Sequence, residues 1–261
     1  MDEPRRTIER VAACNVSLLR GGSGEPLLFL HGARGGSQWL PMMEALSQHF
    51  EVFAPEHPGF GRSETPLWLD TIGDLAYFYL DFIETLGLEY VHLVGTSLGG
   101  WIAAELAIRN QTSLATLTLV AAAGLHVNGI PKGDIFMWSA PELARNLFHD
   151  QKYAEWMLLA EPSQEEQDIQ LRNRLTTAKL AWQPRLHNPH LRKWLHRITV
   201  PTLILWGAND KLIPAQYGAA FRDSIPNARL EIIENCGHAP HVEKKQEFVD
   251  VVTRFLQGAR P

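Results

Sequence analysis

The chain has 261 residues, of which 45% are hydrophobic and 20% are charged, and its formal net charge is −5. This size and composition are typical of one large globular α/β domain. The acidic balance argues against a nucleic acid partner, because nucleic-acid-binding proteins carry a basic face. The charged start MDEPRRTIER lacks the apolar stretch of a signal peptide, and no apolar run reaches the roughly 18 residues that cross a bilayer. We therefore expect a cytoplasmic protein with no membrane span, and leave its oligomeric state open.

The first half of the chain alternates short apolar runs with amphipathic segments. In chain order these predict two antiparallel strands over 7–19, a strand over 27–30, a helix over 38–49, a strand over 51–55, a helix over 71–86, a strand over 90–94, a helix over 98–109 and a strand over 114–121. Strands and helices that alternate with short loops predict a parallel sheet covered by helices on both faces.

This alternation stops near Gly124, after which the chain is helical in character and has no buried-strand pattern until about residue 198. It resumes with the elements predicted over 201–206 (strand), 215–223 (helix), 230–233 (strand) and 243–257 (helix). We therefore predict a core domain made of residues 1–124 and 199–261, with residues 125–198 inserted as a helical lid.

Residues that usually bind metals or cofactors are scattered. Cys14 and Cys236 lie far apart, and we expect two free thiols, since a core of this size needs no covalent cross-link. The histidines form no HExxH motif, and no Gly-x-Gly-x-x-Gly follows a predicted strand. The sequence thus predicts neither a metal nor any other cofactor.

The stretch LVGTSLGGWIAAE puts Ser97 between a predicted buried strand and a predicted helix. A nucleophile on such a tight turn needs neighbours without side chains, and Gly95 and Gly99 supply them. The start of the following helix directs free N–H groups at the same point, which favours a developing oxyanion. We interpret Ser97 as a nucleophile; the alternative is an ordinary glycine-flanked serine in a strand–helix turn.

A serine nucleophile needs a base, and the base needs a carboxylate that orients it. Asp210 follows one predicted C-terminal strand and His238 follows the next, at the edge where open α/β sheets bind ligands. The order Ser97, Asp210, His238 is that of one known triad scaffold. The rival carboxylates are Asp223 and Glu234, and the rival base is His241.

Five stretches of the chain, in this order, resemble the α/β-hydrolase fold family in its subgroup with an inserted helical cap. They are FLHG, HPGFGRSETP, GTSLGG, WGANDKLIP and NCGHAPHVE. The resemblance covers nearly the whole chain and implies a mostly parallel central sheet with helices on both faces and an inserted helical lid. It implies Ser97 as nucleophile, His238 as general base and then general acid, and Asp210 as the group that orients His238. Some relatives carry the acid after the strand before the cap, but VAAAGLH has no carboxylate there.

An oxyanion hole needs two N–H donors aimed at the tetrahedral oxygen. The backbone of Leu98, which follows the nucleophile, is the first candidate. The resemblance points to Ala33, the residue after His-Gly in HGARGG, as the second, and Arg34 stays open as an alternative. We expect the His31 ring to hold loop backbone in place. Three residues of the loop after the fourth strand are interpreted as loop-shaping groups: Glu56, His57 and Arg62.

The predicted lid is rich in apolar side chains that could line a pocket over Ser97, although each could instead only pack the lid onto the core. The main candidates are Phe136, Met137, Trp138, Trp156 and Trp182, and further ones are Phe148, Met157, Leu158, Leu159 and Trp194. Basic lid residues could meet a substrate carboxylate or form solvated helix faces. They are Arg145, Arg172, Arg174, Lys179 and Arg185.

The resulting hypothesis is a serine hydrolase that cleaves carboxylic esters of small, apolar or aryl substrates through an acyl-enzyme, with a small-molecule ester and water as its partners. A carbon–carbon bond hydrolase of ring-cleavage diketo acids is the first alternative, although such relatives usually carry Trp after the base where this chain has Ala239. A cofactor-free perhydrolase and a ligand-sensing receptor of the same fold are further alternatives. Dehalogenases and epoxide hydrolases are disfavoured, because they use Asp where Ser97 stands.

Overall fold

The computed structural model describes residues 4–259, and one eight-stranded sheet forms its centre. In chain order the strands are β1 (Arg5–Val11), β2 (Cys14–Gly21), β3 (Pro26–Leu30), β4 (Glu51–Pro55), β5 (Val91–Thr96), β6 (Leu114–Val120), β7 (Thr202–Gly207) and β8 (Ala228–Ile233). Across the sheet their order is β1-β2-β4-β3-β5-β6-β7-β8.

The sheet is antiparallel at one edge and parallel elsewhere. β1 and β2 form the hairpin predicted at the start of the chain, and β2 pairs antiparallel with β4. The remaining neighbours, from β4 and β3 across to β7 and β8, pair in parallel. β5 and β7 are buried along their whole length, as expected for parallel strands covered on both faces.

Helices cover both faces of the sheet. They are α1 (Pro41–Leu46), α2 (Ile72–Thr85), α3 (Leu98–Arg109), α4 (Ala140–Leu147), α5 (Gln151–Leu159), α6 (Gln164–Ala181), α7 (Gln216–Arg222), α8 (Pro240–Glu243) and α9 (Lys245–Gly258), and a 3-10 helix spans Arg192–Arg197. α1 and α9 share one apolar cluster with Leu27 and Phe29 of β3, whereas α2, α3 and α7 share another with Leu28 and Leu30. Because successive residues of a strand point to opposite faces, these clusters are the two layers of the core.

Residues 121–201 connect β6 to β7 and are named the inserted segment. They contain α4, α5, α6 and the 3-10 helix, and none of these residues, all within the described part of the chain, belongs to a named strand. The Ser139–Glu142 and Ser163–Glu166 pairs form capping boxes that begin α4 and α6. The helical character predicted for 125–198 agrees with these elements, whereas their status as a separate lid domain stays a prediction.

Two predicted elements have different bounds in the structure. The helix expected over 38–49 is the shorter α1, because Leu40 is extended (φ −83°, ψ 151°) and Pro41 opens the helix. The strand expected over 90–94 is β5, which begins one residue later and ends two residues later. It excludes Tyr90 because that residue has a φ of 53° and is exposed. The apolar pattern located both elements, but backbone conformation at single residues fixed their ends.

The C-terminal helix, expected as one element over 243–257, is divided into α8 and α9. The division falls at Lys244, whose φ of −124° and ψ of 47° are not helical. After it, Phe248, Val252 and Leu256 are buried at helical spacing on one face of α9. α8 places its few residues directly behind the loop that carries His238.

Cys14 and Cys236 are free and buried, as expected. Within residues 4–259, no group of three or more His, Cys, Asp or Glu side chains is arranged to hold a metal ion. Over the same residues, no helix combines the length and apolarity needed to span a membrane.

Candidate active site

Ser97 lies at the junction of β5 and α3 with a φ of 52° and a ψ of −113°. This conformation costs about 1–3 kcal/mol for a residue with a side chain, so the surrounding packing must maintain it. A Cβ at Gly95 would lie 2.3 Å from the carbonyl oxygen of Gly99, and one at Gly99 would lie 2.1 Å from that of Leu30. Only glycine fits at both positions, which explains the GTSLG pattern. Ser97 itself remains partly exposed.

A chain of hydrogen bonds joins Ser97 to side chains from two distant loops. Ser97 Oγ lies 3.0 Å from His238 Nε2, and His238 Nδ1 lies 2.8 Å from Asp210 Oδ2. With the imidazole proton on Nδ1, facing the carboxylate, Nε2 is able to accept the serine proton. The sequence predicted that these three residues meet, and the structure brings them together.

Asp210 is held by backbone as well as by the histidine. Its side chain is fully buried in the turn after β7. Its Oδ1 accepts hydrogen bonds from the N–H groups of Leu212 and Ile213, both at 2.8 Å. Trp206 Nε1 donates to the carbonyl of Ile213 at 2.7 Å, which fixes the same turn. The second carboxylate oxygen is thereby directed at His238.

The loop that carries His238 is bonded to the inserted segment. The His238 N–H donates to the Leu147 carbonyl at 2.7 Å. The buried Glu243 accepts from the N–H of Gly237 at 2.7 Å and, through its other oxygen, from that of Asp150 at 2.5 Å. Glu243 was not predicted from the sequence, where its only signal is an acidic residue shortly after the proposed base.

The rival residues lie elsewhere. Asp223 is exposed and pairs with its neighbour Arg222, and Glu234 is exposed in the turn after β8. The His241 ring centroid lies 6.3 Å from that of Phe29, and burial lowers the pKa of His241 to about 4. In the described part of the chain, none of the three hydrogen-bonds to the serine or the histidine.

The loop after β3 lies against the serine. A Cβ at Gly32 would be 3.3 Å from Ser97 Cβ. The Gly35 N–H donates to the Gly32 carbonyl at 3.0 Å, which closes a tight turn with Ala33 and Arg34 at its centre. The predicted oxyanion residue Ala33 thus directly follows the glycine that lies against Ser97.

Two predicted backbone donors face no protein acceptor. Leu98 is the first residue of α3, where an N–H has no intrahelical partner. Within residues 4–259, the N–H groups of Leu98 and Ala33 donate no hydrogen bond, and neither does that of Arg34. The positive end of the α3 dipole is directed at the same point. These N–H groups can therefore receive an anionic ligand.

A buried pair of histidines holds the base of this loop. The rings of His31 and His57 stack with their centroids 3.7 Å apart. The His57 N–H donates to His31 Nε2 at 3.0 Å, so the His31 proton is on Nδ1, which lies 2.7 Å from the Gly32 carbonyl. Burial lowers the pKa of His31 to about 4, and burial and the neighbouring ring lower the pKa of His57 well below its ordinary value. These contacts agree with the expectation that His31 holds loop backbone.

The loop after β4 is shaped by the residues expected to shape it. Glu56 is fully buried, and its Oε2 accepts from Arg6 Nη1 at 3.1 Å and from the Arg62 N–H at 3.2 Å. The Arg62 guanidinium lies 2.7 Å from the carboxylate of Glu165 in α6. A second link to α6 is Asn173, a buried residue that the sequence analysis missed. Its only signal was a poor helix former within the stretch of helical character predicted over 125–198.

The apolar residues predicted to line a pocket differ in their exposure to solvent. Met137, Trp156 and Trp182 are 71%, 68% and 46% exposed, so they do not wall an enclosed cavity. In α5 only the face that carries Ala154 is buried, which leaves Trp156 directed at solvent. Phe136 and Trp138 pack partly buried against the core. Of the other candidates, Phe148 is buried, Met157 contacts the Arg34 guanidinium, and Leu158, Leu159 and Trp194 are exposed.

Most basic side chains of the inserted segment have protein partners. Arg185 Nη1 lies 3.0 Å from both carboxylate oxygens of Asp134, and its guanidinium lies 4.1 Å above the Trp182 ring. Lys179 pairs with Asp70 at 3.0 Å, and Arg172 donates to the loop after β4. Arg145 and Arg174, the other two basic candidates from the sequence, are exposed.

Comparison with known proteins agrees with the fold. A family model described as "Alpha/beta hydrolase family" matches residues 27–251, so the chain belongs to the alpha/beta hydrolase family. The 2-hydroxymuconate semialdehyde hydrolase of Pseudomonas sp. (strain CF600) is 27% identical over 95% of this chain and 92% of its own length. A crystal structure of a membrane phospholipase A, described as a bacterial virulence factor, is 27% identical with a TM-score of 0.82, over 98% of this chain and 87% of that one.

A further relative is longer than this chain. The dihydrolipoyllysine-residue acetyltransferase component of the acetoin cleaving system of Cupriavidus necator is 28% identical over 92% of this chain. The matched region spans 65% of that protein. The names of these relatives describe different reactions.

Proposed function

We propose that this protein is a serine hydrolase that cleaves carboxylic esters through an acyl-enzyme intermediate on Ser97. The observation that carries the proposal is the continuous hydrogen-bonded chain from Ser97 Oγ through His238 to Asp210, with spacings of 3.0 and 2.8 Å. A serine hydroxyl becomes nucleophilic when such a base removes its proton as it attacks.

In the first half-reaction, Ser97 Oγ attacks the ester carbonyl carbon while His238 Nε2 takes the hydroxyl proton. The buried Asp210 carboxylate stabilises the imidazolium that forms. The tetrahedral intermediate collapses when the ester C–O bond breaks, and His238 gives its proton to the departing alcohol. Water then attacks the acyl carbonyl carbon while His238 takes one of its protons. The bond between the acyl carbon and Ser97 Oγ breaks as His238 returns that proton to Oγ, which releases the acid.

The negative charge of both tetrahedral intermediates needs stabilisation near Ser97. The N–H groups of Leu98 and Ala33 are the proposed donors, since both lack a protein acceptor in the described residues and the Ala33 loop packs on Ser97. Losing one such donor typically costs about 100- to 1000-fold in turnover. Arg34, with an equally free N–H, is the alternative donor if substrate binds one residue further along the loop.

The substrate is proposed to be a small ester with an apolar or aryl group. Support comes from the partly buried Phe136 and Trp138 of the inserted segment, which pack against the core and can continue as an apolar wall toward a ligand. In this proposal the inserted segment acts as a lid over the catalytic edge of the sheet.

Carbon–carbon bond hydrolysis of ring-cleavage diketo acids is the second candidate. It is favoured by the similarity to the 2-hydroxymuconate semialdehyde hydrolase, which extends over nearly the full length of both chains. Against it, Ala239 follows the proposed base where such relatives usually have Trp, and Arg185 is already paired with Asp134.

The test compares wild type with Ser97→Ala on p-nitrophenyl esters of graded acyl length and on a vinylogous diketo acid. We expect turnover of at least one ester by the wild type and a loss of about 1000-fold or more in kcat for Ser97→Ala. Equal ester turnover by the two proteins would overturn the proposal. Turnover of the diketo acid without turnover of any ester would replace it with the second candidate.

A further inference from the structure

Asn173 links the inserted segment to both loops that flank the serine. It is 2% exposed in the middle of α6. Its Nδ2 donates to the carbonyl of Arg34 at 2.8 Å, and its Oδ1 accepts from the N–H of Gly61 at 2.8 Å. One partner is an acceptor and the other a donor, so only one orientation of the side-chain amide satisfies both.

The bond to Arg34 is the main side-chain support at the tip of the loop after β3. The hydroxyl of Thr177 also faces this tip, but it donates to the Asn173 carbonyl at 2.7 Å and lies 3.4 Å from the Ala33 carbonyl. A hydroxyl has one proton, so the contact with Ala33 is weak. The histidine pair holds the base of the loop at Gly32, the first residue of the turn.

The loop is built to admit this amide. Gly35 has a φ of 99°, and a Cβ there would lie 2.3 Å from Asn173 Nδ2. A side chain at position 35 would therefore both strain the backbone and displace Asn173. The bond to the Arg34 carbonyl orients the peptide unit between Arg34 and Gly35, which is the second unit after the one that carries the Ala33 N–H.

We propose that Asn173 is a positioning residue, through which the inserted segment fixes the direction of the Ala33 N–H toward the oxyanion. The inference rests on the proposed function, in which Ala33 is an oxyanion donor. Without the bond to Arg34, the tip of the loop gains rotational freedom, and the donor loses its alignment with the developing charge. An interaction made mainly in the transition state affects kcat and leaves KM nearly unchanged.

The experiment compares two variants of Asn173 with a matched control on the same helix. Asn173→Ala removes both bonds, whereas Asn173→Asp keeps an acceptor for Gly61 and loses the donor to Arg34. The control is Thr176→Val, because the buried Thr176 hydroxyl donates to the Gly59 carbonyl at 2.7 Å and so anchors α6 without touching the loop after β3. Kinetics are measured on the best p-nitrophenyl ester, with the inhibition constant of a matching trifluoromethyl ketone.

We expect kcat to fall about 10- to 100-fold in both Asn173 variants, with KM within about twofold of wild type. The trifluoromethyl ketone forms a tetrahedral oxyanion on serine, so its inhibition constant should rise in parallel with the fall in kcat. The kcat of Thr176→Val should stay within about twofold of the wild-type value. Equal effects of all three variants, or a wild-type kcat in both Asn173 variants, would overturn the inference.

Hydrogen–deuterium exchange of the Gly35 N–H, which donates to the Gly32 carbonyl at 3.0 Å, separates this inference from the proposed function. Both Asn173 variants should exchange at least about fivefold faster there than Thr176→Val, because the loop tip has lost its tether. Unchanged exchange overturns the inference even if the esterase activity stands. A wild type without ester turnover would overturn the proposed function, and with it the catalytic role of Asn173, whatever the exchange rates.

Discussion

The two carboxylate oxygens of Asp210 have different partners, which is the most informative detail at the residue scale. Oδ1 is saturated by two backbone N–H groups, and Oδ2 faces His238 Nδ1. An asparagine at this position would keep its oxygen on the backbone donors and place its NH2 against the histidine. The imidazole would then carry its proton on Nε2, where it cannot accept one from Ser97.

Asp210→Asn should therefore lower kcat by about four orders of magnitude, as in other triads with this substitution, while the protein stays folded. Steady-state kinetics and circular dichroism check the two halves of this prediction. Asp223→Asn is the matched control, because Asp223 is exposed and pairs only with its neighbour in sequence. Retention of more than a tenth of the wild-type kcat by Asp210→Asn would contradict the assignment.

At the scale of elements, the sequence predicted those parts of the site that depend on local chemistry. Ser97, Asp210 and His238 each follow a predicted strand with a recognisable turn, so their meeting at one sheet edge follows from parallel topology. Prediction of α1 and of the C-terminal helix was less accurate. Leu40 is extended directly before Pro41, and Lys244 interrupts the C-terminal helix with a φ of −124° and a ψ of 47°.

The residues that the sequence did not reveal are those whose role depends on distant partners. Glu243 bridges Gly237 to Asp150, which are 87 positions apart in the printed numbering. Asn173 bonds to Arg34 and so connects α6 with a loop from the other end of the chain. Neither pairing has a local pattern, since a single acid or amide in a polar helix usually faces solvent. The exposure of Trp156 was likewise decided by which face of α5 packs.

At the scale of the whole molecule, the inserted segment is bonded to the three loops that form the candidate site. The Gly133 N–H donates to the Leu212 carbonyl at 2.7 Å in the Asp210 loop. Leu147 accepts from the His238 N–H, and Asn173 donates to the loop after β3. The geometry of the site therefore depends on the fold of the entire chain, and conditions that loosen the fold should lower activity and stability together.

The buried histidine pair makes that stability depend on pH. His31 stays neutral in the folded protein down to its pKa of about 4, whereas in the unfolded chain it takes up a proton near 6.5. Between these values the unfolded state binds more protons, so the free energy of unfolding falls as the pH falls. Between pH 7.5 and pH 5, we expect His31 alone to lower the free energy of unfolding by about 2 kcal/mol.

Urea unfolding at the two pH values checks this expectation. His31→Asn should have a lower free energy of unfolding than wild type at pH 7.5. Between pH 7.5 and pH 5 its free energy of unfolding should fall by about 2 kcal/mol less than that of wild type, because the titrating group is gone. His49→Gln, at an exposed position, should keep the wild-type pH dependence. An equal loss in wild type and His31→Asn would contradict the assignment of the pH dependence to this ring.

In the proposed reaction Ser97 forms a covalent bond with the acyl group of its substrate. Rapid acid quench of the wild type with a slowly deacylating p-nitrophenyl ester, followed by peptide mass spectrometry, detects this bond. We expect the added mass of the acyl group on the peptide that contains Ser97, formed in step with a burst of p-nitrophenol and lost in Ser97→Ala. Steady ester turnover with no acylated Ser97 peptide, or with the acyl group on another residue, would contradict it.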